Sequence, residues 1–146
     1  PVTLTTVDGC GAPLFAVPLS GLARAFGRLA AAEPTTDEGR VAAAMRTAPH
    51  MVGGTGRDVT RFMQAVPGLI AKDGAEAVYA AGLDDGRGVA LKVADGAPTA
   101  RARQALLAHA LLALGVDTSD LRALADQPVL GHGRPVGAVE VVDLTA

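Results

Sequence analysis

Apolar and polar positions along the 146 residues change period several times, and each change marks an element. Thr3 to Val7 alternates weakly and is rich in β-branched residues, which predicts a short strand. From Ser20 the spacing turns to three and four. Leu22, Ala23, Phe26, Leu29 and Ala30 share one face while Arg24 and Arg28 take another, the pattern of an amphipathic helix. Ser20 is placed as its N-cap, and Pro34 bars its continuation. A second helix is expected over Asp37 to Ala48, with Val41, Ala44, Met45 and Ala48 inward and Pro49 as its stop. A third follows the glycine-rich loop Val52-Gly53-Gly54-Thr55-Gly56-Arg57-Asp58, with Thr55 as cap and Val59, Phe62, Met63 and Val66 buried.

The next part of the chain has the character of a sheet. Leu69 to Lys72, Ala75 to Leu83 and Gly88 to Ala94 are β-compatible, and Asp84-Asp85-Gly86-Arg87 predicts a hairpin between the last two. Thr99 to Leu114 forms a long helix with a broad apolar stripe, closed by Gly115. Thr118 caps a short helix to about Asp126, and Val136 to Val142 supplies a last strand. The predicted class is α+β, an antiparallel sheet with helices packed on one face, and residues 1–146 form a single domain.

Composition narrows the function. Hydrophobic residues make up 49% and charged residues 19%, which fits a folded domain of ordinary size. A net charge of −2 gives nucleic acid or an anionic membrane no electrostatic hold, and 3% aromatic residues leave no base-stacking platform. The most apolar run, Ala105 to Leu114, is too short to span a bilayer, so a soluble protein is expected. The lone Cys10 cannot form an internal disulfide, which accords with a reducing cytoplasm. Only Lys72 and Lys92 stand against eleven arginines, so each lysine draws notice.

Candidate chemistry gathers at two places. Val7-Asp8-Gly9-Cys10-Gly11-Ala12-Pro13 sets a thiol beside a carboxylate on a tight turn. Lys72-Asp73-Gly74 puts a cation at the end of a strand, where it can hold a carboxylate or share a nucleophile's proton, and Gly74 keeps the backbone accessible. The Gly53 to Arg57 loop lacks the Lys-Ser/Thr of a P-loop and is better explained as a structural loop that lets Arg57 reach inward. His50, His109 and His132 are scattered, with His109 a satisfied helix histidine, and Lys92 is the outward residue of its strand. One thiol with no neighbouring His or Cys cannot make a zinc site unaided.

Together these segments resemble the C-terminal half of the bacterial L-asparaginase II family. The pieces are the Asp8-Gly9-Cys10 turn, Gly53-Gly54-Thr55-Gly56-Arg57-Asp58, Lys72-Asp73-Gly74-Ala75-Glu76, Gly88 to Gly96, and Gly133-Arg134-Pro135-Val136-Gly137, in the family's order. The resemblance implies a cytoplasmic amidohydrolase that converts L-asparagine to L-aspartate and ammonia, on a fold similar to serine β-lactamases and glutaminases. Its catalytic logic is a Ser-x-x-Lys nucleophile with an oxyanion hole. Lys72-Asp73-Gly74 would match the fold's Lys-Thr-Gly strand, with Asp73 in place of the hydroxyl residue. The resemblance makes Lys72 and Asp8 catalytic, assigns Gly74 and Arg57 to substrate, and gives Cys10 to zinc with the other ligands outside this chain. No Ser-x-x-Lys occurs: Ser20 is followed by Gly21-Leu22-Ala23 and Ser119 by Asp120-Leu121-Arg122. The chain is therefore expected to supply part of an active site that a missing N-terminal half completes, and to be inactive alone. The alternative is a non-catalytic module that binds a small anion or a protein partner through the Gly53 to Arg57 loop. Self-association is left open.

Overall fold

The computed structural model describes residues 2–96 and 100–142. The predicted start of the long helix at Thr99 lies outside the described residues. The chain opens with a hairpin of β1 (Leu4–Val7) and β2 (Pro13–Ala16). Helices α1 (Leu19–Ala30), α2 (Asp37–Thr47), α3 (Pro49–Gly53) and α4 (Asp58–Ala65) follow. Strands β3 (Ile70–Asp73), β4 (Val78–Gly82) and β5 (Gly88–Lys92) form an antiparallel sheet in that order. Then come α5 (Ala100–Ala113), α6 (Ser119–Ala125) and a second hairpin of β6 (Pro128–Gly131) and β7 (Arg134–Ala138). The class is α+β, with three small antiparallel sheets among the described residues where one was expected.

Helices cover both faces of the central sheet, not one. On the first face Gly82 pairs with Gly88, and Ala80 with Ala90, so a row of small residues runs across the sheet. A Cβ on Gly82 would sit 2.1 Å from the Phe26 carbonyl oxygen, and one on Gly88 would sit 2.0 Å from that of Ala23. Helix α1 therefore lies on the strand backbones themselves, and Ile70 joins Ala30 and Ala42 in a small cluster beneath α1 and α2. The opposite face presents Ala71, Tyr79, Ala81, Val89 and Leu91 to α4, α5 and α6, where Phe62, Leu107, Leu111 and Leu121 complete the main core. Phe62 meets the Tyr79 ring edge to face at 6.0 Å.

Local chemistry explains where the elements begin and end. Thr36 caps α2 through its hydroxyl, which accepts from Gly39 N–H at 3.0 Å, and Thr118 caps α6 in the same way from Leu121 N–H. The predicted cap Ser20 lies inside α1 instead. Pro18 precedes that helix, and its carbonyl accepts from Gly21 and Leu22. Pro49 both ends α2 and opens α3, as its fixed φ and missing N–H suit a first turn. Ala75 to Ala77 form a turn rather than the start of a strand, because Glu76 and Ala77 adopt φ of 55° and 56°. The hairpin at Asp84 to Arg87 joins β4 to β5 as expected. His132 and Gly133, both at positive φ, make the two-residue turn between β6 and β7, so the last strand starts before Val136 and stops at Ala138.

Candidate functional site

Strand β3 delivers Lys72 and Asp73 to the sheet's end beside the mouth of the Gly53 to Arg57 loop. Arg57 is the residue before α4, and its Nη2 lies 3.1 Å from Asp73 Oδ2. Lys72 Nζ turns onto its own neighbour, 2.9 Å from Asp73 Oδ1 and 2.8 Å from the Asp73 carbonyl oxygen. From α5 comes Arg103, whose Nη2 reaches Asp73 Oδ2 at 3.0 Å while Nε donates to Asp58 Oδ2 at 3.2 Å. Three cations thus converge on one carboxylate. The Arg103 side chain is 6% exposed and those of Asp58 and Asp73 are 3% and 12%, whereas Arg57 and Lys72 are about half exposed. The cluster has a fixed interior and a wet rim.

Electrostatics follow from that layout. Burial alone would raise the Asp73 carboxyl, but the Lys72 hydrogen bond and the charges of Lys72, Arg103 and Arg57 outweigh it and hold Asp73 below the usual carboxylate range. Beneath the cluster, Tyr79 lies with the Arg103 guanidinium 5.6 Å from its ring centre. Its phenol is fully buried and has no hydrogen-bond partner among the described residues. Burial first, then the Asp58 and Asp73 charges, push its pKa well above the tyrosine value.

A depression of about 480 Å³ opens above these residues, lined by Arg57, Lys72, Asp73, Gly74, Glu76 and Arg103 among others. Its outer wall is the Gly74 to Ala77 turn, which Lys92 braces from β5 through the Glu76 carbonyl oxygen. Lys92 is exposed as expected, and it also acts as this strut. The loop below is locked from within. Thr60 Oγ1 lies 2.7 Å from the Gly54 carbonyl oxygen, and Arg57 N–H donates to that same oxygen at 3.2 Å. Thr55 does not cap α4, whose N-cap residue is Arg57 with no side-chain cap hydrogen bond. The loop projects Arg57 toward Asp73 at the half-exposed rim of the cluster. His109 Nδ1 lies 2.9 Å from the Ala105 carbonyl oxygen one turn earlier in α5.

Lys72, Gly74 and Arg57 therefore meet around one depression, while Asp8 and Cys10 do not line it. They sit on the turn of the exposed β1–β2 hairpin. Asp8 Oδ1 accepts from Cys10 N–H at 2.9 Å and Ala12 N–H at 3.3 Å, and contacts with the Cys10 thiol and backbone hold its carboxyl below the usual range. Among the described residues no group of three or more His, Cys, Asp or Glu is placed to hold a metal ion. With its carboxylate already engaged by two N–H groups, this turn does not fit zinc unaided. Arg103, Asp58 and Tyr79 were not legible as site residues. They lie far apart in sequence, and the available hint was an arginine interrupting the apolar stripe of α5.

The sequence profile of L-asparaginase II matches residues 2–141. The chain belongs to the L-asparaginase II family. No curated protein sequence matches it significantly. Among the described residues no helix is long and apolar enough to cross a membrane.

Proposed function

We propose that this chain supplies one wall of an asparaginase site, acting on L-asparagine to give L-aspartate and ammonia in the cytoplasm. The observation that supports this reading is the convergence of Lys72, Arg57 and Arg103 on Asp73 beside an open depression, in a chain of this family. Arg57 spends one Nη on Asp73 and keeps its other N–H groups for the α-carboxylate of the substrate. Lys72 stands where it can exchange a proton with an attacking hydroxyl. Asp73 and Arg103 set the position of both cations.

The nucleophile comes from elsewhere, because no Ser-x-x-Lys occurs in the sequence. A serine from outside these 146 residues adds to the side-chain amide carbon, ammonia leaves with a proton, and water releases aspartate from the acyl-enzyme. In the assembled site Asp8 faces the substrate's amino group. Cys10 gives zinc one thiolate ligand, the others coming from outside this chain, and no step of the reaction is assigned to the metal.

The test is ammonia release from L-asparagine by the chain alone and mixed with the Ser-x-x-Lys half of a family member. Activity is expected only in the mixture, with a drop of at least about 100-fold in Lys72→Ala, the scale of a lost general acid–base group. Silence from well-folded samples that associate would leave a binding module. Turnover by the chain alone would show that its nucleophile is not missing.

A further inference from the structure

Asp73 decides how much positive charge the depression has left for a ligand. Among the described residues it is the only carboxylate within salt-bridge distance of Lys72 or Arg57. Lys72 commits two of its three Nζ protons to it, one to Oδ1 at 2.9 Å and one to the carbonyl oxygen at 2.8 Å. Arg103, held at Nε by Asp58, gives Nη2 to Oδ2. Neither cation keeps an unopposed charge. Arg57 differs, because it places one Nη on Asp73 and its other side-chain N–H groups have no acceptor among the described residues. Glu76 on the outer wall is 82% exposed, where water screens its charge. The depression thus has free donors for one ligand carboxylate, at Arg57, and a carboxylate of its own beside Lys72.

A side-chain amide and the acid it becomes differ at a single group. With Lys72 at the reacting carbon, that group lies beside Lys72 and so beside Asp73. The amide is neutral, and its NH2 is a donor that a carboxylate accepts. At neutral pH the acid is an anion with no proton to donate. It meets Asp73 in a place largely withdrawn from water, where repulsion between like charges is little screened. Lys72 does not offset that repulsion, because Asp73 already holds it. A fixed charge set against the wrong ligand discriminates as well as an added contact to the right one.

We propose that Asp73 is a specificity-determining residue: it makes the depression a one-carboxylate site that takes the side-chain amide and expels the diacid formed from it. The proposal rests on the asparaginase reading above and adds how that site tells its substrate from its product.

The experiment titrates the full chain at neutral pH with L-asparagine and with L-aspartate, following the backbone amide shifts of Arg57 and Gly74. Beside it, the ammonia assay of the mixture with the Ser-x-x-Lys half of a family member gives KM for asparagine and the inhibition constant of aspartate. Asparagine is expected to act at a concentration at least about tenfold below that of aspartate in both measurements. Asp73→Asn keeps the shape and removes the charge, so it is expected to bring the two ligands within about threefold, by tightening aspartate. A residue that only orders its neighbours would weaken both ligands together, and that result overturns the proposal. If D73N unfolds, the wild-type ratio still decides, and equal midpoints for the two ligands overturn the proposal. Turnover by the mixture with aspartate inhibiting wild type and D73N alike overturns it and keeps the composite site. Discrimination by the chain without turnover in the mixture keeps it and removes the composite site. No shift from either ligand and no turnover remove both.

Discussion

Arg103 serves two carboxylates at once, with Nε on Asp58 and Nη2 on Asp73, and all three side chains are withdrawn from water. Removing it leaves two negative charges without their buried partner. Breaking a buried pair from one side costs far more than the pair contributes as a whole, because the remaining charge stays desolvated. Arg103→Met keeps the volume and is expected to lower unfolding free energy by about 3–5 kcal/mol in urea denaturation. A loss within about 1 kcal/mol, the range of an exposed pair, would show that the cluster is not an integral part of the core. The family resemblance is what brought Lys72, Gly74 and Arg57 together as site residues. It passed over Asp73, the group they share, as a departure from a hydroxyl position. Asp58 stands in the first turn of α4, and its carboxylate turns into the interior to meet Arg103 of α5.

At the scale of elements, the contact that organises the sheet is the backbone-to-backbone approach of α1 to β4 and β5. Gly82 and Gly88 face one another across the ladder, and Gly27 answers from the helix, where an added Cβ would lie 2.2 Å from the Gly86 carbonyl oxygen. Gly88→Ala must push α1 off the sheet or bend the strand, and overpacking of this kind is expected to cost about 2 kcal/mol in denaturant midpoint analysis. Gly137→Ala is the matched control, since nothing lies within 4 Å of the position its Cβ would take. Equal effects of the two substitutions would remove the close-approach account. The helices α1 and α4 were legible from their apolar spacing, whereas α2 buries Gly39 and Ala42 and leaves the expected Val41 and Ala44 exposed. Strands β2 and β6 were not, for they are four residues long, start at proline and lie in hairpins without an alternating stripe. Helix α3 was missed because proline reads equally well as the stop of one helix and the first residue of the next.

Across the whole molecule, burial is uneven. The main core lies between Val59 and Leu124, while Leu4, Val7, Phe15 and Val136 on the two outer hairpins stay exposed. Tyr79 sits inside that core and is the only tyrosine in a chain without tryptophan, so its ionisation reports on the core alone. Burial and the Asp58 and Asp73 charges raise its pKa in the folded state above that of the unfolded chain. The unfolded chain therefore releases this proton first as pH rises. The resulting contribution to stability is complete below about pH 10, the ordinary tyrosine value, and declines above it until the folded phenol itself ionises. In an alkaline titration, tyrosinate absorbance is expected to appear together with the loss of helical circular dichroism, in one transition above pH 10. Tyrosinate absorbance near pH 10 with helical signal unchanged would mean that water reaches the phenol in the folded protein, and the packing of Arg103, Phe62 and Tyr79 described above would then be wrong.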